Sequence, residues 1–191
     1  MILSSVSLLI LGVIWGTSLN VKGRSLLMRY HLRVFYTSAL TLFSYAAYLG
    51  VRLYKATYAH PIGKFFDIEY VLFFRVGVRL FAPYLASLVF AIIFMWVATA
   101  YNKRYNERFF EREEIQLGGL SLLLVGHPGW IFYLITLVAL YLLLHTTYYL
   151  LHTNKNFRLP VYRLWVPTAI FVILISKYWI SGSVFWIALQ F

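Results

Sequence analysis

The sequence predicts an all-α fold, a polytopic bundle of six transmembrane helices embedded in a membrane. Its composition, the spacing of its apolar segments and the position of its basic residues lead to this class. Hydrophobic residues make up 62% and charged residues 12% of the 191 residues, whereas about 25% of an average soluble domain is charged. Because a soluble chain of this length needs more polar residues to cover its surface, we exclude a soluble globular protein and expect one transmembrane domain over residues 1–191.

Six apolar segments alternate with short polar stretches. A helix needs about 20 residues to cross the hydrocarbon core; four segments qualify directly, and 34–54 is long enough but is admitted with the charged Arg52 reaching the interface at its end. The segment 115–126 is long enough to cross only if its helix begins at Glu107 and ends at Gly126, where Gly-His-Pro-Gly turns the chain back. The apolar segments cover residues 2–21, 34–54, 76–101, 115–126, 129–151 and 164–190.

Positive charges set the expected topology, because loops on the cytoplasmic or matrix side carry an excess of Lys and Arg. Three basic clusters share one side only if both 107–126 and 129–151 cross the membrane. We therefore predict six helices with both termini outside and 55–70 as the main external loop. The alternative is five helices, with 116–126 in the interface. The clusters are Lys22, Arg24, Arg29 and Arg33; Lys103, Arg104, Arg108 and Arg112; and Lys155, Arg158 and Arg163.

The net charge of +11 is attributed to basic loops that set the topology and contact anionic phospholipid headgroups. It is not interpreted as a nucleic-acid surface. The chain has no cysteine, which excludes disulfides and thiolate chemistry. The first apolar segment has no basic residues before it and no small-residue cleavage site, so we expect it to be the first helix. These features favour a bacterial plasma membrane or an organelle inner membrane.

Arg75 and Arg79 are the expected binding residues, because four residues apart on a helix they share a face near the start of the third span. Because a charge at membrane depth costs free energy, its presence suggests a function. The arginines could contact an anion, a proton or a lipid phosphate. The alternative is that both side chains reach the interface or pair with Asp67 and Glu69.

Two histidines provide an alternative cofactor site. His145 and His152 lie seven residues apart on one face of the fifth helix, and either could be an axial haem ligand. A haem held by two histidines takes them from two helices, however, and the sequence offers no obvious partner, so we expect interfacial histidines, no cofactor and no metal. Similarly, the acids Glu107 and Glu111 interleave with Arg104 and Arg108, which predicts an exposed helix with ion pairs.

Two short stretches resemble type IV prepilin peptidases, which are intramembrane aspartyl proteases. Residues 16–21 (Gly-Thr-Ser-Leu-Asn-Val) with Arg24 are similar to the end of that family's first helix, and 114–128 is similar to the segment after its second catalytic aspartate. The resemblance implies that Asp67 and Glu114 form a catalytic carboxylate pair sharing a proton. In this chain the family's Gly-x-Gly-Asp signature is missing, and Glu114 stands at the aspartate position.

A third stretch, residues 78–83 (Val-Arg-Leu-Phe-Ala-Pro), is similar to the arginine motif of subunit a of rotary ATP synthases. The resemblance implies that Arg79 takes part in proton transport, although Pro83 replaces the usual asparagine. Both resemblances cover small parts of the chain.

Three functional hypotheses follow. The leading one is a non-enzymatic membrane subunit or scaffold of a larger membrane complex, for example an energy-transducing one, which packs against other membrane protein subunits and phospholipids. The second is a subunit of a transporter or channel for a small solute, ion or proton, using Arg75 and Arg79 near the broken region 126–129. The third is a degenerate aspartyl protease using Asp67 and Glu114.

Overall fold

The computed structural model describes residues 2–59, 70–105, 110, 112–151 and 162–180. This part of the chain is helical and contains no strand, which confirms the predicted all-α class. The helices are α1 (Ile2–Leu19), α2 (Val21–Arg29), α3 (His31–Ala59), α4 (Val71–Phe81), α5 (Ala82–Arg104), α6 (Arg112–Val125), α7 (Gly129–Leu151), α8 (Tyr162–Ile175) and α9 (Ser176–Ile180).

Three helical stretches are long and apolar enough to cross a membrane, namely His31–Ala59, Val76–Arg104 and Gly129–Leu151. They support the assignment as a membrane protein. Shorter apolar helices occur at Leu3–Leu19, Glu114–Val125 and Leu164–Tyr178. The number of membrane crossings therefore stays a prediction, with three long helices and three shorter ones to be assigned.

The first apolar segment ends earlier than predicted. Helix α1 stops at Leu19, and the Asn20 side chain accepts a hydrogen bond from the backbone N–H of Lys22 at 3.2 Å. Asparagine is a preferred residue for capping a helix N-terminus, so a second, short helix begins immediately. The first basic cluster is consequently helical and does not lie on an open loop. Three of its residues belong to α2, and Arg33 belongs to α3.

The prediction of one helix over 107–126 is wrong at its beginning. Helix α6 starts only at Arg112 and has 14 residues, which corresponds to about 21 Å. Phe110 is not helical because its backbone N–H and C=O both bond to the side chain of Asn102. Helix α5 likewise ends at Arg104. The predicted ion pairs depend on Glu107, Arg108 and Glu111, which lie outside the described residues.

Helices α4 and α5 form one continuous rod with two kinds of helical hydrogen bonding. Helix α4 is a π-helix, and the α-helical pattern begins at Ala82. Pro83 follows at once; because proline has no backbone N–H, it cannot donate a hydrogen bond to the preceding helical turn. The sequence thus places the change of helix type directly before a proline.

Helix α6 lies at the centre of the bundle and packs against α1, α3, α5, α7 and α8. Leu122, Leu123 and Leu124 are fully buried. Glycines permit the close packing: a Cβ atom on Gly118 would lie 2.9 Å from the Trp165 ring, and the two helices would have to separate. Small residues at helix contacts are typical of membrane bundles, where packing replaces the hydrophobic effect as the source of association.

Candidate functional site

A cavity of about 540 Å³ lies at one end of the bundle, between the first turn of α3, the C-terminal turns of α5 and the first turn of α6. Its polar lining comes from His31, Thr99, Asn102, Lys103 and Gln116. Its apolar lining comes from Leu32, Met95 and Ile115. Volumes of this order are typical of small-molecule sites, and the mixed lining suits a ligand with one polar and one apolar part.

Asn102 fixes the wall of this cavity. Its Nδ2 donates to the Phe110 carbonyl at 2.7 Å, and its Oδ1 accepts from the Phe110 backbone N–H at 3.1 Å. The side chain is 4% exposed, so two hydrogen bonds hold the end of α5 against the chain that enters α6. The two helices therefore keep a fixed spacing at the mouth of the cavity.

Two further lining residues differ in how their polar atoms are bonded. The Thr99 hydroxyl donates to the Met95 carbonyl at 2.7 Å within its own helix, as we expect of hydroxyls in spanning helices. The Gln116 Oε1 atom is buried and has no hydrogen-bond partner among the described residues. A buried acceptor in this state costs free energy, so a hydrogen-bond donor beside it would be stabilising.

The surroundings of the cavity are basic. Lys103 and Arg104 occupy the last turn of α5, where positive charge is favourable because helix C-termini carry partial negative charge. Lys22 and Arg29 lie on the short helix α2, and both are exposed. A hydrogen bond with Tyr101 raises the pKa of Tyr105 above its ordinary value, so this nearby phenol stays neutral at physiological pH.

A second feature is the distal part of α7, residues 142–151. The buried residues of α7, Gly129, Tyr133 and Leu137, all belong to its first nine residues. Every residue from 142 to 151 is exposed except the half-buried Tyr148. Because these ten residues cover all sides of a helix, the described part of the chain leaves this segment without helical neighbours around most of its circumference.

The predicted break at 126–129 is a tight turn between α6 and α7. Gly126 has a φ of +76°, a backbone conformation that favours glycine. The His127 backbone N–H donates to the Pro83 carbonyl at 3.1 Å, and the Trp130 indole N–H donates to His127 Nδ1 at 3.2 Å. These bonds hold the turn against the start of α5, so α5 and α6 form an antiparallel helical hairpin.

Arg75 and Arg79 both belong to the π-helix α4. The Arg79 side chain is exposed, while the side chain of Arg75 is outside the described part of the structure. Arg79 is not among the residues that line the cavity. The structure therefore separates Arg79 from the cavity.

Glu114 and His145 are the remaining candidates within the described residues. Glu114 is 3% exposed in the first turn of α6, and Asp67 lies outside the described residues. His145 is exposed and stacks on Tyr141, with 5.8 Å between ring centroids and 11° between ring planes; His152 is also outside the described residues. Within the described ranges, no three His, Asp or Glu side chains are grouped closely enough to hold a metal ion.

The residues that define the cavity were missed by the sequence analysis. Asn102 stands between the predicted apolar segment 76–101 and Lys103 and was not singled out, and Gln116 was counted with the start of the next segment, 115–126. A signal was present, since an uncharged amide within a predicted span needs a hydrogen-bond partner. No protein-family model matches the sequence, and comparison with curated proteins and with solved structures finds no match to it.

Proposed function

We propose that this protein is a non-enzymatic subunit of a larger membrane complex, and that the distal part of α7, residues 142–151, binds a helix of another subunit. The observation that carries the proposal is the exposure of this segment on nearly every side. Leu143, Leu150 and Leu151 are 62%, 78% and 73% exposed. Helices are stabilised mainly by packing of their side chains, and this segment obtains little packing from the rest of the chain that the structure describes.

The composition of the segment fits a helix partner. It contains no charged residue, and the polar and aromatic block His145–Tyr149 lies between leucines at 142–144 and leucines at 150–151. The Thr147 hydroxyl donates to the Leu143 carbonyl at 2.8 Å, and its oxygen can still accept a hydrogen bond. Threonine, histidine and small polar groups on an apolar helix support contacts between membrane helices.

The experiment measures the mass of the native assembly in mild detergent. The double variant Leu143→Ala with Leu150→Ala removes two exposed side chains without changing the buried core. We expect it to reduce the assembled fraction and leave a folded protomer. The matched control is Leu9→Ala with Leu40→Ala, because these leucines are 68% and 69% exposed on α1 and α3.

The mass also identifies the kind of assembly. A mass that is an integer multiple of 22.4 kDa indicates a homo-oligomer, whereas any other mass indicates a different subunit. A lone, monodisperse protomer before any substitution contradicts the proposal. Equal losses in both double variants contradict the assignment to the distal part of α7.

A specific observation favours a second function, a subunit of a transporter for an ion or small solute. Arg75 and Arg79 lie in an 11-residue π-helix, and π-helical turns are frequent at functional sites. Flux in proteoliposomes tests this function, with the double variant Arg75→Ala and Arg79→Ala. Unchanged flux in that variant contradicts an arginine mechanism, and flux lost with an intact fold supports it.

A further inference from the structure

The cavity at the end of α5 combines three properties in one place. It has a cationic side chain in Lys103 and an N–H donor in His31. It has a buried acceptor without a partner in Gln116, and it has an apolar wall that includes Leu32 and Ile115. A ligand that satisfies all three carries an anionic group, a hydrogen-bond donor and a hydrocarbon chain.

The charges of the lining residues indicate that the ligand is anionic. Among the described residues that line the cavity none is acidic, and the buried Glu114 on the same turn of α6 is not part of the wall. Arg104 directly follows Lys103, and Arg29 of α2 precedes His31 by two residues. Lysine binds phosphate as a point charge on a flexible stem, which suits a headgroup that arrives from the membrane surface.

We propose that this cavity binds one anionic phospholipid whose headgroup carries a hydroxyl. Its phosphate contacts Lys103 and His31, its hydroxyl bonds to the side-chain amide of Gln116, and the beginning of an acyl chain lies against Leu32 and Ile115. A volume of about 540 Å³ holds the headgroup and the upper part of the chains, and the rest of the lipid follows the outer surface of the bundle. This lipid site does not depend on a partner at the distal part of α7.

The neighbouring cations Lys103 and Arg104 provide a matched test. Both are exposed at the end of α5, but only Lys103 lines the cavity. The binding of dioleoylphosphatidylglycerol to the purified protein is measured by native mass spectrometry at several lipid concentrations. We expect Lys103→Gln to weaken this binding about tenfold, the loss typical of one charge-assisted hydrogen bond, and Arg104→Gln to change it less than twofold.

Gln116→Leu tests the role of the headgroup hydroxyl. This variant should lower the affinity for phosphatidylglycerol severalfold and leave the affinity for phosphatidic acid, which has no headgroup hydroxyl, unchanged. Phosphatidylcholine measures binding to lipid in general, and glycerol 3-phosphate measures binding of the headgroup without chains. Displacement of the lipid by an equal concentration of glycerol 3-phosphate would assign the cavity to a soluble phosphate compound and overturn the lipid proposal.

Two other outcomes also overturn it. Equal weakening in Lys103→Gln and Arg104→Gln indicates attraction by the basic surface without a site. Equal binding of phosphatidylcholine and phosphatidylglycerol indicates that charge plays no part. The thermal unfolding midpoint of each variant without added lipid shows whether it is folded, and Lys103→Arg, which keeps the charge, should retain most of the wild-type affinity.

Discussion

The side-chain amide of Asn102 pairs with the backbone of Phe110, using the amide N–H as donor at 2.7 Å and the amide oxygen as acceptor at 3.1 Å. The pair joins the last turn of α5 to the chain before α6. At the other end of the same hairpin, the His127 N–H donates to the Pro83 carbonyl. The hairpin is thus fastened by hydrogen bonds at both ends, and the glycines of α6 pack against α5 and α8 between them.

Asn102→Ala should lower the free energy of unfolding by about 1–3 kcal/mol, because it leaves two backbone groups of Phe110 without their partner. Thermal unfolding in mild detergent measures the effect. Thr41→Ala is the matched control, since its exposed hydroxyl bonds only to the Thr37 carbonyl of its own helix, and it should change the stability by less than about 0.5 kcal/mol. Equal effects of the two substitutions would contradict a fastening role for Asn102.

Gly118→Ala and Gly119→Ala test how tightly the centre of the bundle is packed. A Cβ on Gly118 meets the buried Trp165 ring at 2.9 Å and the Phe94 ring at 3.0 Å, whereas a Cβ on Gly119 meets the Met95 side chain at 2.6 Å. The Trp165 ring is buried and large, so it has little space to move, whereas methionine has several rotatable bonds. We expect a loss of about 1–3 kcal/mol for Gly118→Ala and a smaller loss for Gly119→Ala.

The measurement for this pair is again the thermal unfolding midpoint in one detergent. The order of the two variants is the decisive result. If Gly119→Ala is the more destabilising, Met95 is held rigidly and the assumed difference between the two neighbours is wrong.

The local features of the fold could be predicted from the sequence, because they depend on neighbouring residues. Helix α7 covers Gly129–Leu151, the predicted segment, since Pro128 and Gly126 break the chain just before it. The all-α class followed in the same way from the apolar segments. These predictions needed only the length of a segment and the residues at its ends.

The features that depend on distant contacts could not be predicted. The start of α6 is set by Asn102, eight residues before Phe110, and nothing in the local sequence identifies that partner. The cavity requires α3, α5 and α6 to meet, so the sequence did not bring Lys103 of the second basic cluster together with Gln116 of the next apolar segment. The π-helical bonding of α4 was missed because the apolar pattern of 71–81 is the same for both helix types.

Gly126→Ala should destabilise the turn between α6 and α7. The φ of +76° costs an alanine about 1–2 kcal/mol, and the new Cβ would lie 3.3 Å from the Tyr84 ring. For a chain of this size, we expect the unfolding midpoint to fall by about 2–8 °C. Gly12→Ala is the control, because a Cβ there meets nothing within 4 Å in helix α1, and alanine is the better helix former.

An unchanged midpoint for Gly126→Ala would show that the turn adopts another conformation in the membrane. A loss of similar size in Gly12→Ala would instead show that the outer face of α1 packs against another molecule. The pair therefore separates a backbone effect from a surface effect.

The last prediction concerns the membrane topology. From Asn102 to Pro83 helix α5 rises about 29 Å, close to the thickness of the hydrocarbon core. The entry to α6 lies at the Asn102 end and the turn at His127 lies at the Pro83 end. The short helix α6 and the chain entering it thus extend over the same distance as α5, which favours the six-helix topology over an interfacial α6.

Single cysteines introduced into this cysteine-free chain and labelled with an impermeant reagent test this topology in sealed vesicles. Cysteines at Lys22, Arg104 and Lys155 should react from the same side, because two crossings separate each of these positions from the next. Cysteines at Lys55 and Tyr70, which are exposed at the ends of α3 and α4, should react from the opposite side. Labelling at Lys155 from the side of Tyr70 would contradict six helices and support five, because one of α6 and α7 would then fail to cross the membrane.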